Sequence, residues 1–224
     1  MPDAVMLFAA GFGTRMGALT ADRPKPLIDV AGKPLLDHAL ALCAHLPTRV
    51  VNAHYRAEQV EAHLAGTGVH VSVERPDILD TGGGLRHALP LLGQDPVFTL
   101  NTDAVWAGPN PLRLLAEAWD PARMDALLLC VPLGQAVGRK GGGDFTISGD
   151  GHLSRTGDHV YTGGQILKTE LLAEIPEDVF SLNLLWNRMN EAGRLHGLSY
   201  PGHWADVGHP EGITLAEEML ARYV

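Results

Sequence analysis

A chain of 224 residues with 46% hydrophobic and 19% charged content has the composition of one globular domain, and at that length it buries roughly 70% of the surface its unfolded form exposes. A disordered tail is excluded, and the core needs no metal or disulfide staple. The net charge of −9 opposes binding to the phosphate backbone of a nucleic-acid polymer, and no apolar run approaches the ~20 residues that span a membrane.

Apolar or β-branched runs alternate with amphipathic stretches of helical spacing, the signature of an α/β fold. The first strand, Ala4 to Ala9, leads into Ala9-Ala10-Gly11-Phe12-Gly13-Thr14-Arg15-Met16-Gly17. Open α/β sheets bind ligands beyond the carboxyl ends of their strands. Glycines at 11, 13 and 17 let backbone N–H groups come within reach of phosphate oxygens. A nucleotide is the natural ligand. The spacing fits neither a Walker loop, which ends in Gly-Lys-Ser/Thr, nor the dinucleotide fingerprint, which requires a glycine where Met16 stands. Arg15, Arg23, Lys25 and Lys33 outnumber the acids of the first 35 residues, so this end is locally cationic in an anionic chain. Pro24 and Pro26 restrict the backbone on both sides of Lys25 and fix where its ammonium points. Rigidly placed cations stabilise charge that develops in phosphoryl or nucleotidyl transfer.

Next come a helix over Leu35 to Leu46, a strand over Arg49 to Ala53, a helix over Ala57 to Leu64 and a half-exposed strand over Val69 to Glu74. Asp80-Thr81-Gly82-Gly83-Gly84 opens a helix over Leu85 to Leu92. Its glycines allow backbone groups to approach a flat base, while Asp80 or Thr81 as a helix cap is the plain alternative. A strand over Pro96 to Leu100 ends at Asn101-Thr102-Asp103. Asn110 caps a helix over Pro111 to Trp119, and Ala126 to Pro132 is another strand. Parallel strands joined by right-handed crossovers follow. Beyond Pro132 the pattern changes to a glycine cluster, Gly138 to Gly143, and a hairpin of Asp144 to Ser148 with His152 to Arg155. A strand over His159 to Lys168, a capped helix over Ser181 to Glu191, a strand over Arg194 to Ser199 and a helix over Pro210 to Arg222 complete the chain. Cys43 and Cys130, in apolar segments without metal-binding spacing, are expected to be buried, reduced thiols.

Gly11-Phe12-Gly13-Thr14-Arg15-Met16, Pro24-Lys25-Pro26-Leu27 and Gly32-Lys33-Pro34-Leu35 together resemble the signature of the sugar-1-phosphate nucleotidylyltransferases, and further matches run nearly to the end of the chain. The resemblance implies a Rossmann-like nucleotidyltransferase fold: a mostly parallel central sheet flanked by helices, with a smaller mixed α/β sugar-binding lobe. One domain over 1–224 is expected, its nucleotide-binding part at about 1–133 and its sugar-binding lobe at about 134–224. The implied reaction is attack of a sugar-phosphate oxygen on the α-phosphorus of a nucleoside triphosphate, releasing pyrophosphate. By the same resemblance the backbone of Ala10, Gly11, Phe12 and Gly13 holds the nucleotide, the segment containing Gly83 lies against its base, Arg15 reaches the β/γ-phosphates and Lys25 contacts the reacting phosphates.

A reaction that brings anions together needs a divalent cation held by carboxylates. Asp103, and Asp206 within His203-Trp204-Ala205-Asp206-Val207-Gly208, match the family's two Mg²⁺ positions, with Thr102 where a smaller residue is usual. Asn101 and Asp144 are expected to orient the sugar through hydrogen bonds. Within the family, the segments around Gly83, Asp144 and Asp206 look most like members that uridylylate N-acetylmuramate 1-phosphate in bacterial cell-wall recycling. UTP and that sugar phosphate are the substrates so implied, with Arg139 or Lys140 meeting the lactyl carboxylate. A cytoplasmic monomer is expected. The alternatives are a mannose-1-phosphate guanylyltransferase or another hexose-1-phosphate enzyme and, from a different class, a non-catalytic nucleotide-binding regulatory module.

Overall fold

The computed structural model describes residues 1–93 and 95–224. Strand β1 (Ala4–Phe8) leads through 3-10 turns at Thr14–Thr20 and Lys25–Leu27 to a small ribbon, β2 (Asp29–Val30) with β3 (Lys33–Pro34), and to helix α1 (Leu35–Leu42). There follow β4 (Thr48–Ala53), α2 (Ala57–Leu64), β5 (His70–Val73), α3 (Asp80–Leu92), β6 (Val97–Asn101), β7 (Ala104–Ala107), α4 (Pro111–Ala118) and β8 (Ala126–Pro132). The remainder comprises β9 (Ala136–Val137), β10 (Gly143–Ile147), β11 (Leu153–Gly157), β12 (His159–Leu167), α5 (Leu182–Glu191), β13 (Leu195–Ser199), β14 (His203–Asp206) and α6 (Pro210–Tyr223). Among the described residues no helix is long and apolar enough to cross a membrane.

The main sheet has the order β11-β10-β12-β6-β1-β4-β5, with β8 on the other edge of β12 and β13 beyond β8. The central strands β1 and β8 are apolar throughout because both faces are covered, while the edge strands β5 and β11 carry polar, exposed residues. Along β1, Met6 enters one core with Val50, Leu85 and Leu128, while Val5 and Leu7 enter another with Leu36, Val51 and Leu100. That division is the two-residue period of a strand. β6, β1, β4 and β5 pair in parallel, as do β8 and β13, whereas β12 runs antiparallel to both β6 and β8. The sheet is therefore mixed, and the boundary expected near residue 133 falls inside it.

One irregularity in β12 shapes everything that follows. Its first residues pair with β10 and its last with β6, with a register shift between Tyr161 and Gln165. Gly163 sits in this bulge at φ +89°, and a Cβ there would lie 2.5 Å from the Cβ of Asn101. Only glycine suits both the backbone and the space. The sheet thus forks at the carboxyl end of β6, where the Asn101 side chain lies.

A second sheet, β7-β14-β9, covers the fork. Trp204 lies opposite Trp106 in register, and its indole N–H donates to the Thr162 carbonyl at 3.2 Å. These strands, four residues or fewer, carry too little pattern to stand out in sequence. Two expected boundaries also shift. α1 stops at Leu42 because Cys43 leaves helical geometry and the chain turns, Leu46 N–H bonding Cys43 O at 2.9 Å just before Pro47. α3 starts at Asp80 rather than Leu85, taking the three glycines into its first turns. Asn110 caps α4 as expected, its side chain accepting from Leu112 and Arg113 N–H at 3.0 and 3.2 Å; such a cap contributes about 1 kcal/mol. Both cysteines are free and buried, and burial raises the Cys43 thiol to about 11.

Candidate active site

The loop after β1 closes over a tight turn. Gly13 adopts φ +65°, its carbonyl accepts Met16 N–H at 2.9 Å, and the Thr20 hydroxyl donates to the carbonyls of Gly13 and Gly17. Met16 is buried with Ile28, Val30, Leu35 and Val207, so the residue that breaks the dinucleotide fingerprint anchors the loop to the core. A Cβ on Gly13 would meet the Lys25 Cβ at 2.9 Å, which packs the loop directly on Pro24-Lys25-Pro26. Lys25 is buried, and its Nζ donates to Asp103 Oδ2 at 2.9 Å.

Asp103 occupies the turn between β6 and β7, and the neighbouring Thr102 hydroxyl donates to the Phe8 carbonyl at 2.7 Å. Thr102 thereby ties that turn to the end of β1. Asp206, at the end of β14, lies opposite Ala104, and Val207 N–H bonds the Asp103 carbonyl at 2.8 Å. The open side of Gly208 faces the Asp206 carboxylate and the Arg15 guanidinium. Arg15, Lys25, Asp103 and Asp206 thus converge from four separate segments.

Burial pushes the Asp206 carboxyl above the usual carboxylate range, the charge of Asp103 adds to that, and Lys25, Arg15 and Arg139 only partly oppose it. A buried carboxylate beside a second one suits a cation. The donors are hard oxygens, and among the described residues no cluster of three His, Cys, Asp or Glu side chains is placed to hold a metal. Few protein oxygens with room for water and phosphate ligands fit Mg²⁺ rather than a closed zinc cage.

Arg15, Lys25 and Asp103 line a cleft of about 300 Å³ together with Ala9, Ala10, Gly11, Gly13 and Thr14, and Asp206 lies just behind it, its carboxylate against Gly208 of the lining. Phe12 is outside it: the side chain is largely exposed and packs edge-on to His54, ring centroids 5.4 Å apart. Gly83 also does not line it. Its N–H bonds the Phe180 carbonyl at 3.1 Å, and a Cβ would lie 2.4 Å from the Asp178 carbonyl oxygen. The expected base contact at Gly83 is corrected accordingly. Glycine is required there because the 178–180 backbone packs directly on α3, and the cleft wall is formed instead by Ile78, Asp80 and Thr81. Asp80 Oδ1 accepts Thr81 N–H at 2.5 Å within the first turn, but the N-cap position is Leu79 and no side chain caps α3, so the helix-cap alternative for Asp80 or Thr81 is corrected too.

The floor of the cleft holds two residues that the sequence reading passed over. Asn52 and Glu74 are buried, and Asn52 Nδ2 donates to Glu74 Oε1 at 2.6 Å. Asn52 Oδ1 accepts Ala9 N–H at 2.7 Å, while Glu74 Oε2 accepts Leu79 N–H at 2.7 Å. The pair joins the start of the phosphate loop to the opposite wall. The available signal was a lone amide inside Val50-Val51-Asn52-Ala53, a polar group that a buried strand tolerates only with partners.

A second cavity, of about 340 Å³, shares Phe8, Asp80, Thr81 and Asn101 with the first. Beyond that common rim it is lined by Arg139, Asp144, Arg155, Tyr161, Asn183 and Trp186. Asp144 accepts from Arg139 Nη2 at 2.7 Å and from Tyr161 N–H at 2.9 Å. The Trp186 indole N–H donates to Gln165 Oε1 at 2.9 Å, and Gln165 Nε2 donates to the Thr99 hydroxyl at 2.9 Å, a buried chain that fixes the tryptophan. Lys140 pairs with Glu211 on the surface at 3.2 Å and is not part of the lining.

Residues 5–177 match the model of the MobA-like NTP transferase domain. The chain is 43% identical to the N-acetylmuramate alpha-1-phosphate uridylyltransferase of Caulobacter vibrioides, covering 98% of each chain. It is 30% identical to the enzyme of the same name from Neisseria meningitidis serogroup B, over 91% of this chain and 92% of that one. Among solved structures, a putative glucose-1-phosphate thymidylyltransferase from Bacillus anthracis superposes with a TM-score of 0.81 at 17% identity, covering 99% of this chain and 96% of that one; at that identity the likeness speaks for the fold.

Proposed function

The chain belongs to the MobA-like NTP transferase family of sugar-1-phosphate nucleotidyltransferases, and from that premise we propose that it transfers the uridylyl group of UTP to N-acetylmuramate 1-phosphate, releasing pyrophosphate and the UDP sugar. The observation that carries the reading is the meeting of two cavities at Asn101, with Arg15, Lys25 and Asp103 lining the first and Asp206 next to Asp103. One cavity suits a nucleoside triphosphate, the other a sugar.

The attacking group is a phosphate oxygen that already carries charge at neutral pH, since the second ionisation of a phosphate monoester lies near 6. No general base is needed. The problem is to bring two anions together and to stabilise the departing pyrophosphate, so positioning and fixed positive charge account for the rate. The loop backbone at Ala10, Gly11 and Gly13 presents N–H groups to the triphosphate. Lys25, locked by its prolines and by Asp103, meets the reacting phosphates with a cation that need not reorganise. Arg15 takes the β/γ side, where charge leaves. Asn101 and Asp144 orient the sugar. Asp103 and Asp206 would hold Mg²⁺, which when bound supplies positive charge against the phosphates. The same reading assigns the reaction to a cytoplasmic monomer serving cell-wall recycling.

Pyrophosphate release measured across four nucleoside triphosphates and several sugar 1-phosphates, with and without Mg²⁺, tests the proposal. The expected result is turnover that requires UTP, N-acetylmuramate 1-phosphate and Mg²⁺ together. A preference for GTP with mannose 1-phosphate overturns the substrate assignment. Nucleotide binding with no turnover anywhere in the panel replaces the enzyme by a regulatory module.

A further inference from the structure

The second cavity holds two guanidinium groups in different situations. Arg139 donates to Asp144 at 2.7 Å, so its charge is matched within the protein. Arg155, on β11, makes no ion pair among the described residues. Its Nη2 donates to the neutral Asn187 Oδ1 at 3.0 Å, and its guanidinium lies 5.0 Å from the ring centroid of Phe145 and 5.7 Å from that of Trp186. Those rings hold the side chain in place, and Trp186 is itself fixed through Gln165 and Thr99. Desolvation against them draws the Arg155 pKa below the ordinary arginine value, with the charge of Asp144 opposing the shift. A cation held on an aromatic shelf, partly out of water and with no acid of its own, has its strongest available partner in a planar anion brought by a ligand, because guanidinium binds carboxylate through two parallel N–H···O bonds.

That anion is not the 1-phosphate. Arg155 lines only the second cavity, on the part beyond the shared rim, whereas Lys25 and Arg15 line the first. We infer that Arg155 receives a carboxylate carried by the sugar itself and thereby selects carboxylated sugar 1-phosphates over neutral ones. The inference rests on the function proposed above, in which the lactyl ether of the muramyl sugar is that group. It replaces the sequence-based choice of Arg139 or Lys140: the first is neutralised by Asp144 and the second is bound to Glu211 outside the cavity.

N-acetylmuramate 1-phosphate and N-acetylglucosamine 1-phosphate differ only by the lactyl ether, so steady-state kinetics on the two isolate this contact. Arg155→Met is expected to raise KM for the muramyl substrate by roughly 10- to 100-fold, the range of a lost hydrogen bond to a charged group, with kcat nearly unchanged. Kinetics on N-acetylglucosamine 1-phosphate should stay as in wild type. Arg155→Lys should recover part of the loss, since charge survives without the planar fork. Equal losses on both sugars would assign Arg155 to the shape of the cavity and overturn the inference, as would a selectivity that Arg155→Met leaves intact. Wild-type protein that turns over neither sugar, or prefers the neutral one, removes the functional reading and this inference together.

Discussion

The two cavities that meet at Asn101 are built on different physical principles. Beside the long side chains of Arg15 and Lys25, much of the first is lined by backbone and short side chains, from a loop packed through Gly13 onto Lys25 and a floor locked by Asn52 and Glu74. The second is lined by long side chains, Arg139, Arg155, Tyr161 and Trp186, drawn from strands, a loop and a helix that are distant in sequence. A backbone-lined cleft leaves little freedom for substitution and suits a part common to all substrates. A side-chain-lined cavity changes with single substitutions and suits the part that differs.

Substitutions in the first cavity should therefore abolish turnover, and those in the second should redirect it. The largest effects are expected for Lys25→Ala, which removes the fixed positive charge proposed to meet the reacting phosphates, and Asp103→Ala, which removes the carboxylate that holds Lys25 and would hold Mg²⁺: kcat should fall by ~10²-fold or more, with thermal melting close to wild type. Pyrophosphate release within severalfold of wild type would withdraw the residue from its role. Gly163→Ala comes next. It forces a methyl into Asn101 at the fork and should cost about 1–3 kcal/mol by denaturant unfolding, and it should raise KM for the sugar phosphate more than for the nucleotide. An equal rise in both would deny that the fork separates the two subsites.

Glu74→Ala leaves the Asn52 amide and Leu79 N–H without their partner and should cost about 1–3 kcal/mol, with KM rising chiefly for the nucleotide. The smallest effect serves as a control outside both cavities. Asp125 is bound by Lys168 and Arg194 at 2.8 Å each. Burial works against its ionised form, but the two cationic hydrogen bonds prevail and hold its carboxyl below the usual value. A depressed pKa contributes stability that is present above the ordinary carboxylate range and lost as pH falls through the folded-state value. Asp125→Asn should therefore flatten the acid side of the melting-temperature profile below about pH 4, while leaving kinetics at neutral pH unchanged.

The same contrast explains what was legible in the sequence. The loop at Gly11, the proline-flanked Lys25 and the acids at 103 and 206 stand in short contiguous motifs, and folding brings them together without altering their local character. Gly83 was misread because a glycine run beside a site invites a ligand, whereas here the missing Cβ atoms admit the 178–180 backbone and the Phe180 ring against α3. Arg155, Asn183 and Trp186 could not be grouped from sequence, since only the fork in β12 and the docking of α5 bring them to one cavity. Asn52 and Glu74 were hidden because a strand conceals which polar residue faces inward until its neighbours are known. β7, β9 and β14 were missed for want of length, although β14 carries Asp206.

That last strand has a consequence for how the protein is made. Asp103 is synthesised near the middle of the chain, and its neighbour Asp206 arrives only when β14 docks against β7, held by the bond from Val207 N–H to the Asp103 carbonyl. A nascent chain still leaving the ribosome therefore possesses the loop and the lysine but lacks half of its acidic pair.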